Sequence, residues 1–329
     1  MLAFIARRIL IAIPLLFLAS ILVFILVVNA GDPLAGYRER PNSESIIERK
    51  TAELRLDEPV YSRYWHWFSN AIQGDFGKDT KGLEVAPKVI DGLSTTMRMV
   101  IVALLVAVVL GVGIGVLSAL HQYSKFDYAF TFLAFLFFAM PVFWFAVLLK
   151  EYGAVKLNNV LEGWGFSRWV STIGPKTPNF EGSFWASVGD QLGHLILPTI
   201  TLAVISFAAY SRYQRASMLE TLKSDYVRTA RAKGISERRV VWRHAFRTAL
   251  IPVATLIALD FGALLGGAIV TENIFAWRGM GTLLRESVLR DVDPNTAMAV
   301  LMITATTVVV FNLIADIVYA YLDPRIRIE

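Results

Sequence analysis

Blocks of about 20 consecutive apolar residues constrain this chain more than any other feature, because an α-helix of that length crosses about 30 Å of hydrocarbon. Six such blocks occur, at about Ile9–Ala30, Met97–Leu120, Tyr128–Leu149, Leu195–Tyr213, Ala249–Val270 and Ala297–Tyr321. They raise the apolar share to 55% of 329 residues, above the roughly 45–50% of soluble domains. The reading is an all-α polytopic membrane protein with six transmembrane helices. The first block follows Arg7 and Arg8 and ends on Val28-Asn29-Ala30, which resembles a cleavage site. Its apolar core exceeds the roughly 7–15 residues of a secretory signal, so it reads as the first span.

Charge sets the orientation. From Arg212 to Arg247 the chain carries ten Lys and Arg against Glu220, Asp225 and Glu237. Basic loops stay on the cytoplasmic side. Counting crossings from that loop places Arg7 and Arg8 inside, and Arg325 and Arg327 inside, so both termini are expected to be cytoplasmic. The expected organisation is a transmembrane helix over 1–30, an extracytoplasmic region over 31–96, a five-helix core over 97–321 and a tail over 322–329. Within the core, 150–194 is an extracytoplasmic insertion and 214–247 a cytoplasmic loop. The net charge of +5 is attributed to topology and anionic lipid rather than to nucleic acid. In 31–96, Pro59 precedes Tyr61, Tyr64, Trp65, Trp67 and Phe68. That spacing suits an interfacial aromatic helix or a docking surface for an extracytoplasmic partner.

The basic loop has more order than topology demands. Ser224–Lys233 reads as a short helix, and Gly234 stands where a helix end favours a left-handed residue. Ser236 reads as the N-cap of a second helix running to about Arg247. The plain alternative is a solvated loop that only sets orientation.

The stretch Asp225-Tyr226-Val227-Arg228-Thr229-Ala230-Arg231-Ala232-Lys233-Gly234-Ile235-Ser236, continuing through His244-Ala245-Phe246-Arg247 to Pro252, resembles the signature loop of binding-protein-dependent ABC importer permeases. It is most similar to the branch serving dipeptides and oligopeptides. Arg228-Thr229-Ala230 stands at the family's Glu-Ala-Ala position, and His244–Arg247 where Ile-x-Leu-Pro falls in the general pattern. Gly31-Asp32-Pro33, Leu56-Asp57-Glu58-Pro59, Gly74-Asp75-Phe76-Gly77, Thr271-Glu272-Asn273-Ile274-Phe275 and Asp323-Pro324-Arg325 resemble the same branch. Arg278 replaces a proline usual there, and 150–194 is longer than is usual.

The resemblance implies a type I importer permease fold, coupled to ATPase subunits through the 225–247 cytoplasmic loop, whose coupling helix is seated in an ATPase. It implies four kinds of partner: a second homologous permease subunit, two cytoplasmic ATPase subunits or domains, an extracytoplasmic substrate-binding protein, and membrane lipid. The coupling residues carried over are Tyr226, Arg228, Thr229, Ala230, Arg231, Ala232, Lys233 and Gly234. The small Ala230 is expected to permit close docking. No cofactor is expected in this chain, with ATP and Mg on the ATPase partners. No Gly-x-x-x-x-Gly-Lys-Ser/Thr phosphate cradle occurs in the sequence, so the chain reads as no enzyme.

Asp260 lies mid-block in the fifth span, where a carboxylate costs at least about 2.5–3.5 kcal/mol. It reads as a translocation-pathway acid or as an interhelical polar contact. Gly262, Gly266 and Gly267 nearby suggest tight helix packing. Two rival functions were weighed. An ion-coupled secondary transporter would use Asp260. An intramembrane hydrolase finds no His-Glu-x-x-His or Gly-x-Ser-x-Gly, and His66, His121, His194 and His244 lie outside or at the ends of the blocks. The chain has no cysteine, so it has no thiolate metal site.

Overall fold

A computed structural model describes residues 2–38, 44–165, 169–290 and 292–322. The helices are α1 (Leu2–Asn29), α2 (Ala35–Arg38), α3 (Glu44–Glu53), α4 (Val60–Ile72), α5 (Val85–Leu120), α6 (Lys125–Ala139), α7 (Val142–Lys150) and α8 (Leu157–Gly163), with a π-helical turn over Glu151–Lys156. They continue with α9 (Phe184–Leu222), α10 (Asp225–Ala232), α11 (Glu237–Arg239), α12 (Phe246–Ala249), α13 (Ile251–Phe275), α14 (Met280–Leu289) and α15 (Pro294–Leu322). A second π-helical turn, Val240–Ala245, joins α11 to α12.

Four helices are long and apolar enough to cross a membrane unaided: α1, α5, α9 and α15. Two bent pairs bring the total to six. The third apolar block turns by 108° between α6 and α7. Pro141 is the cause. It has no N–H to donate, and it pushes the preceding residue out of the helical region; Met140 is extended at φ −80°, ψ 132°. The segment Glu237–Ala249 meets α13 at 44° where the fifth block begins, with Pro252 in the first turn of α13. Helix α5 begins at Val85, ahead of its apolar block.

The chain forms two compact units. One comprises Leu2–Thr96 with Arg278–Val309. There Tyr64, Trp67 and Phe68 of α4 pack on Phe17 and Phe24 of α1. The Ser20 and Tyr64 hydroxyls share a 2.8 Å hydrogen bond. The aromatic stretch is therefore two-faced, since Tyr61 and Trp65 on the other side of α4 are exposed. Val85 and Val89 of α5 pack with Met280 and Leu283 of α14 and with Ala299 and Val300 of α15.

The other unit comprises Met97–Trp277 and the end of α15 from Val310. Helix α9 is its centre, packed on α6, α7 and α13. Helices α5 and α9 approach closely. A Cβ added at Gly111 would meet Tyr210 Cβ at 2.8 Å, and one at Gly115 would meet the Ser211 carbonyl at 2.7 Å. Gly-x-x-x-Gly spacing lets helix backbones approach in this way. Of the glycines expected to do this in the fifth span, Gly266 stands in open space: a Cβ there would meet nothing within 4 Å. The side-chain position of Gly267 lies outside the described residues. Phe261 of α13 stacks on Phe311 of α15 at 3.7 Å.

The long insertion after α7 folds as a cap. Asn158 donates to the Val170 carbonyl at 2.7 Å, and the His194 ring bonds the Gly174 carbonyl at 2.8 Å. Gly174 N–H donates to the Phe275 carbonyl and the Lys150 ammonium to the Ile274 carbonyl. The last carbonyls of a helix have no partner within it, so these two bonds satisfy the exposed end of α13.

Candidate coupling site and intramembrane acid

The coupling candidate is α10. Asp225 in its first turn complements the partial positive charge of the helix start. The Ser224 hydroxyl does not cap the helix; it donates back to the Thr221 carbonyl of α9. At the far end Gly234 adopts φ +74°. Its N–H bonds the Arg231 carbonyl, and Ile235 N–H bonds the Ala230 carbonyl. That closure needs a left-handed residue, which glycine supplies without a Cβ penalty. Nothing lies within 4 Å of a Cβ built there, so the glycine serves backbone geometry and not close approach within the chain.

One face of α10 is seated in the chain's own core. Val227 and Ala230 are buried with Val116 and Ala119 of α5, Met218 of α9, and Val240, Val241, Ala245 and Ala249 of the following segment. Ala230, expected at the docking surface, is only 6% exposed and so faces inward. It sits three residues after Val227, and helical spacing puts both on one face. Tyr226, Arg228, Thr229, Arg231, Ala232, Lys233 and Gly234 are exposed.

These exposed residues differ in their freedom. Arg231 is braced by two bonds to Glu237, at 2.7 and 3.1 Å, and one to the Leu222 carbonyl at 3.3 Å. The Glu237 carboxylate raises the Arg231 pKa, so its charge is permanent. Arg228 pairs with Asp225 at 3.2 Å on the surface, where such pairs contribute little. Tyr226, Thr229 and Ala232 are the uncharged part of the outward face.

Asp260 of α13 is half-buried and accepts a hydrogen bond from the Tyr210 hydroxyl of α9 at 2.7 Å. Sequence reading singled out the acid but not this partner. It also missed the strongest polar link of the unit. Asp127 in the first turn of α6 takes two bonds from Arg215 of α9, from Nε at 2.6 Å and Nη2 at 2.7 Å. Tyr123 N–H adds a third at 3.0 Å. Asp127 is almost fully buried. The available signal was a charge at the edge of each of two apolar blocks, 88 residues apart in the chain. Among the described residues, no group of three or more His, Asp or Glu could hold a metal ion.

Comparison with known proteins agrees with this architecture. Residues 111–328 match the family model of the binding-protein-dependent transport system inner membrane component, and residues 1–111 match the model of its N-terminal region. The oligopeptide transport system permease protein AppB of Bacillus subtilis is 39% identical over 330 residues, covering 99% of this chain and 100% of that one. OppB of Mycobacterium tuberculosis, an oligopeptide transport system permease protein, is 38% identical over 329 residues, covering 99% of each. The glutathione transport system permease protein GsiC of Escherichia coli is 35% identical over 330 residues, again covering 99% of each. In fold, the chain resembles the inward-facing MetNI methionine ABC transporter, with a TM-score of 0.54 at 15% identity over 71% of this chain and 96% of that one.

Proposed function

Because this chain belongs to the family of binding-protein-dependent transport system inner membrane components, we propose that it is one of two permease subunits lining a single import route for peptides. Membership carries the coarser facts. The chain is a multi-pass permease of the inner membrane in an ABC importer, works with ATPase and binding-protein partners, and has no ATPase domain of its own. The observation that supports peptides as cargo is full-length similarity to permeases named for oligopeptides and for glutathione, itself a tripeptide.

In this reading α10 is the coupling helix. Its buried face (Val227, Ala230) ties it to α5 and α9, and its outward face (Tyr226, Arg228, Thr229, Ala232, Lys233) meets an ATPase. A helix fixed on one side and free on the other transmits a push as a rigid lever. Gly234 sets the turn, and Arg231 holds the two limbs of the loop together through Glu237. Regions 31–96 and 150–194 lie outside, and 214–247 and the 322–329 tail inside. Asp260, oriented by Tyr210, lines the route and takes the ammonium of a peptide.

The test places charge on the outward face. Thr229→Glu combined with Ala232→Glu leaves the buried face of α10 untouched. In vesicles containing the second permease, both ATPases and loaded binding protein, stimulated ATP hydrolysis falls about tenfold or more, equivalent to about 1.4 kcal/mol of lost coupling. Stimulation equal to wild type would remove α10 from the coupling role.

A further inference from the structure

The segment after α10 carries a second basic surface, outside the residues assigned to coupling. Arg238, Arg239, Arg243 and Arg247, with Ser236 and Trp242, line an open hollow of about 720 Å³. Between Asp225 and Asp260 the sequence holds one carboxylate, Glu237, and it is engaged by Arg231. The four guanidiniums are exposed and make no ion pair among the described residues. Loop orientation alone requires basic residues on this side. It does not require four of them to converge on one hollow around a half-exposed tryptophan (53%).

We propose that this hollow binds the phosphate headgroup of anionic phospholipid in the cytoplasmic leaflet. Three observations favour lipid over a protein partner. The opposite face of the segment, through Val240, Val241, Ala245 and Ala249, is buried in the chain's core, so the backbone that carries the arginines is anchored. The segment runs directly into the span α13 through the 44° bend. Arg247 stands four residues before Ile251, about 6 Å along a helix, which is headgroup depth. Trp242 lies beside Phe246 at 5.3 Å, and an aromatic ring next to guanidiniums suits the boundary between headgroups and acyl chains. Arginine forks bind phosphate oxygens in pairs.

The probe is phosphatidylglycerol in phosphatidylcholine nanodiscs carrying the full-length chain, alone and with its partner subunits. Retained lipid is counted by native mass spectrometry. Wild type retains phosphatidylglycerol over phosphatidylcholine. Each lost arginine weakens retention about fivefold, so R239Q/R243Q weakens it on the order of 25-fold, while R239K/R243K recovers part of the loss. The proposal is overturned if the double Gln variant retains as much phosphatidylglycerol as wild type. It is equally overturned if soluble inorganic phosphate displaces the lipid, which would mark a free-anion site. ATPase subunits lost from R239Q/R243Q with lipid retention unchanged would assign the arginines to the ATPase instead. Measuring retention on the isolated chain separates this outcome from any failure of the peptide-import reading.

Discussion

Arg215→Ala is the most informative single change outside α10. It leaves Asp127, 3% exposed at its side chain, as a buried carboxylate without its countercharge. Removing one partner of a buried ion pair costs about 3–5 kcal/mol. Arg215 itself is 27% exposed, and the Tyr123 N–H remains on the carboxylate, so water and that bond offset part of the loss. The lower end, about 3 kcal/mol, is the expected cost. At roughly 2 °C per kcal/mol for a large chain, the melting midpoint in detergent or nanodiscs falls by about 6 °C. The double change Asp127→Leu with Arg215→Met removes both charges and recovers most of the loss, because apolar residues of similar volume replace buried pairs at little cost. The functional readout is separate. Arg215 lies one turn before Met218, which packs against Val227 of α10, so loosening the end of α9 raises basal ATP hydrolysis and lowers its stimulation by substrate. If Arg215→Ala melts with wild type, or the double variant melts as low as the single, the pair does not hold α6 to α9 as described.

Three further outcomes follow from the same geometry. Gly115→Val sets side-chain atoms against Gln214 and the Ser211 carbonyl; backbone there cannot yield, so destabilisation of about 1–3 kcal/mol or more appears as a lower midpoint, whereas Gly266→Ala is tolerated. Hydrogen bonding from Lys50 holds the Glu53 carboxyl below the usual glutamate range. The link is therefore intact above the ordinary glutamate pKa and is lost as pH falls through the lowered value, read as faster amide exchange in α3 that Lys50→Met abolishes. Asp260→Asn keeps an acceptor for Tyr210 but removes the charge; peptide uptake in vesicles drops with the midpoint nearly unchanged, and wild-type uptake would leave Asp260 as a helix contact only.

The sequence made the spans and the helical loop around Gly234 legible for different reasons. Apolar length is a property of contiguous residues, and so is the helix–Gly–helix pattern around Gly234. Pro141 also stands in plain view, yet a hydropathy average runs straight through it and carries no sign of the 108° turn. The inward face of Ala230 depends on which side of α10 meets Met218, and the pairing of Asp127 with Arg215 on helix packing 88 residues apart. Neither is encoded locally. The close approach at Gly111 and Gly115 is hidden for the same cause: α5 and α13 both carry glycine clusters, and only the packing of α9 against α5 picks out the first.

The turn at Met140–Pro141 has an electrical consequence. A helix that stops within an apolar block leaves its final carbonyls unpaired, and the helix after it begins with bare N–H groups. Acyl chains can bond neither set, so such a corner is stable only against protein or water. The α6–α7 elbow is therefore a wet or covered polar point between two greasy segments. Hydrocarbon is disfavoured at that corner, so the two apolar segments meet at a point that lipid tails do not solvate.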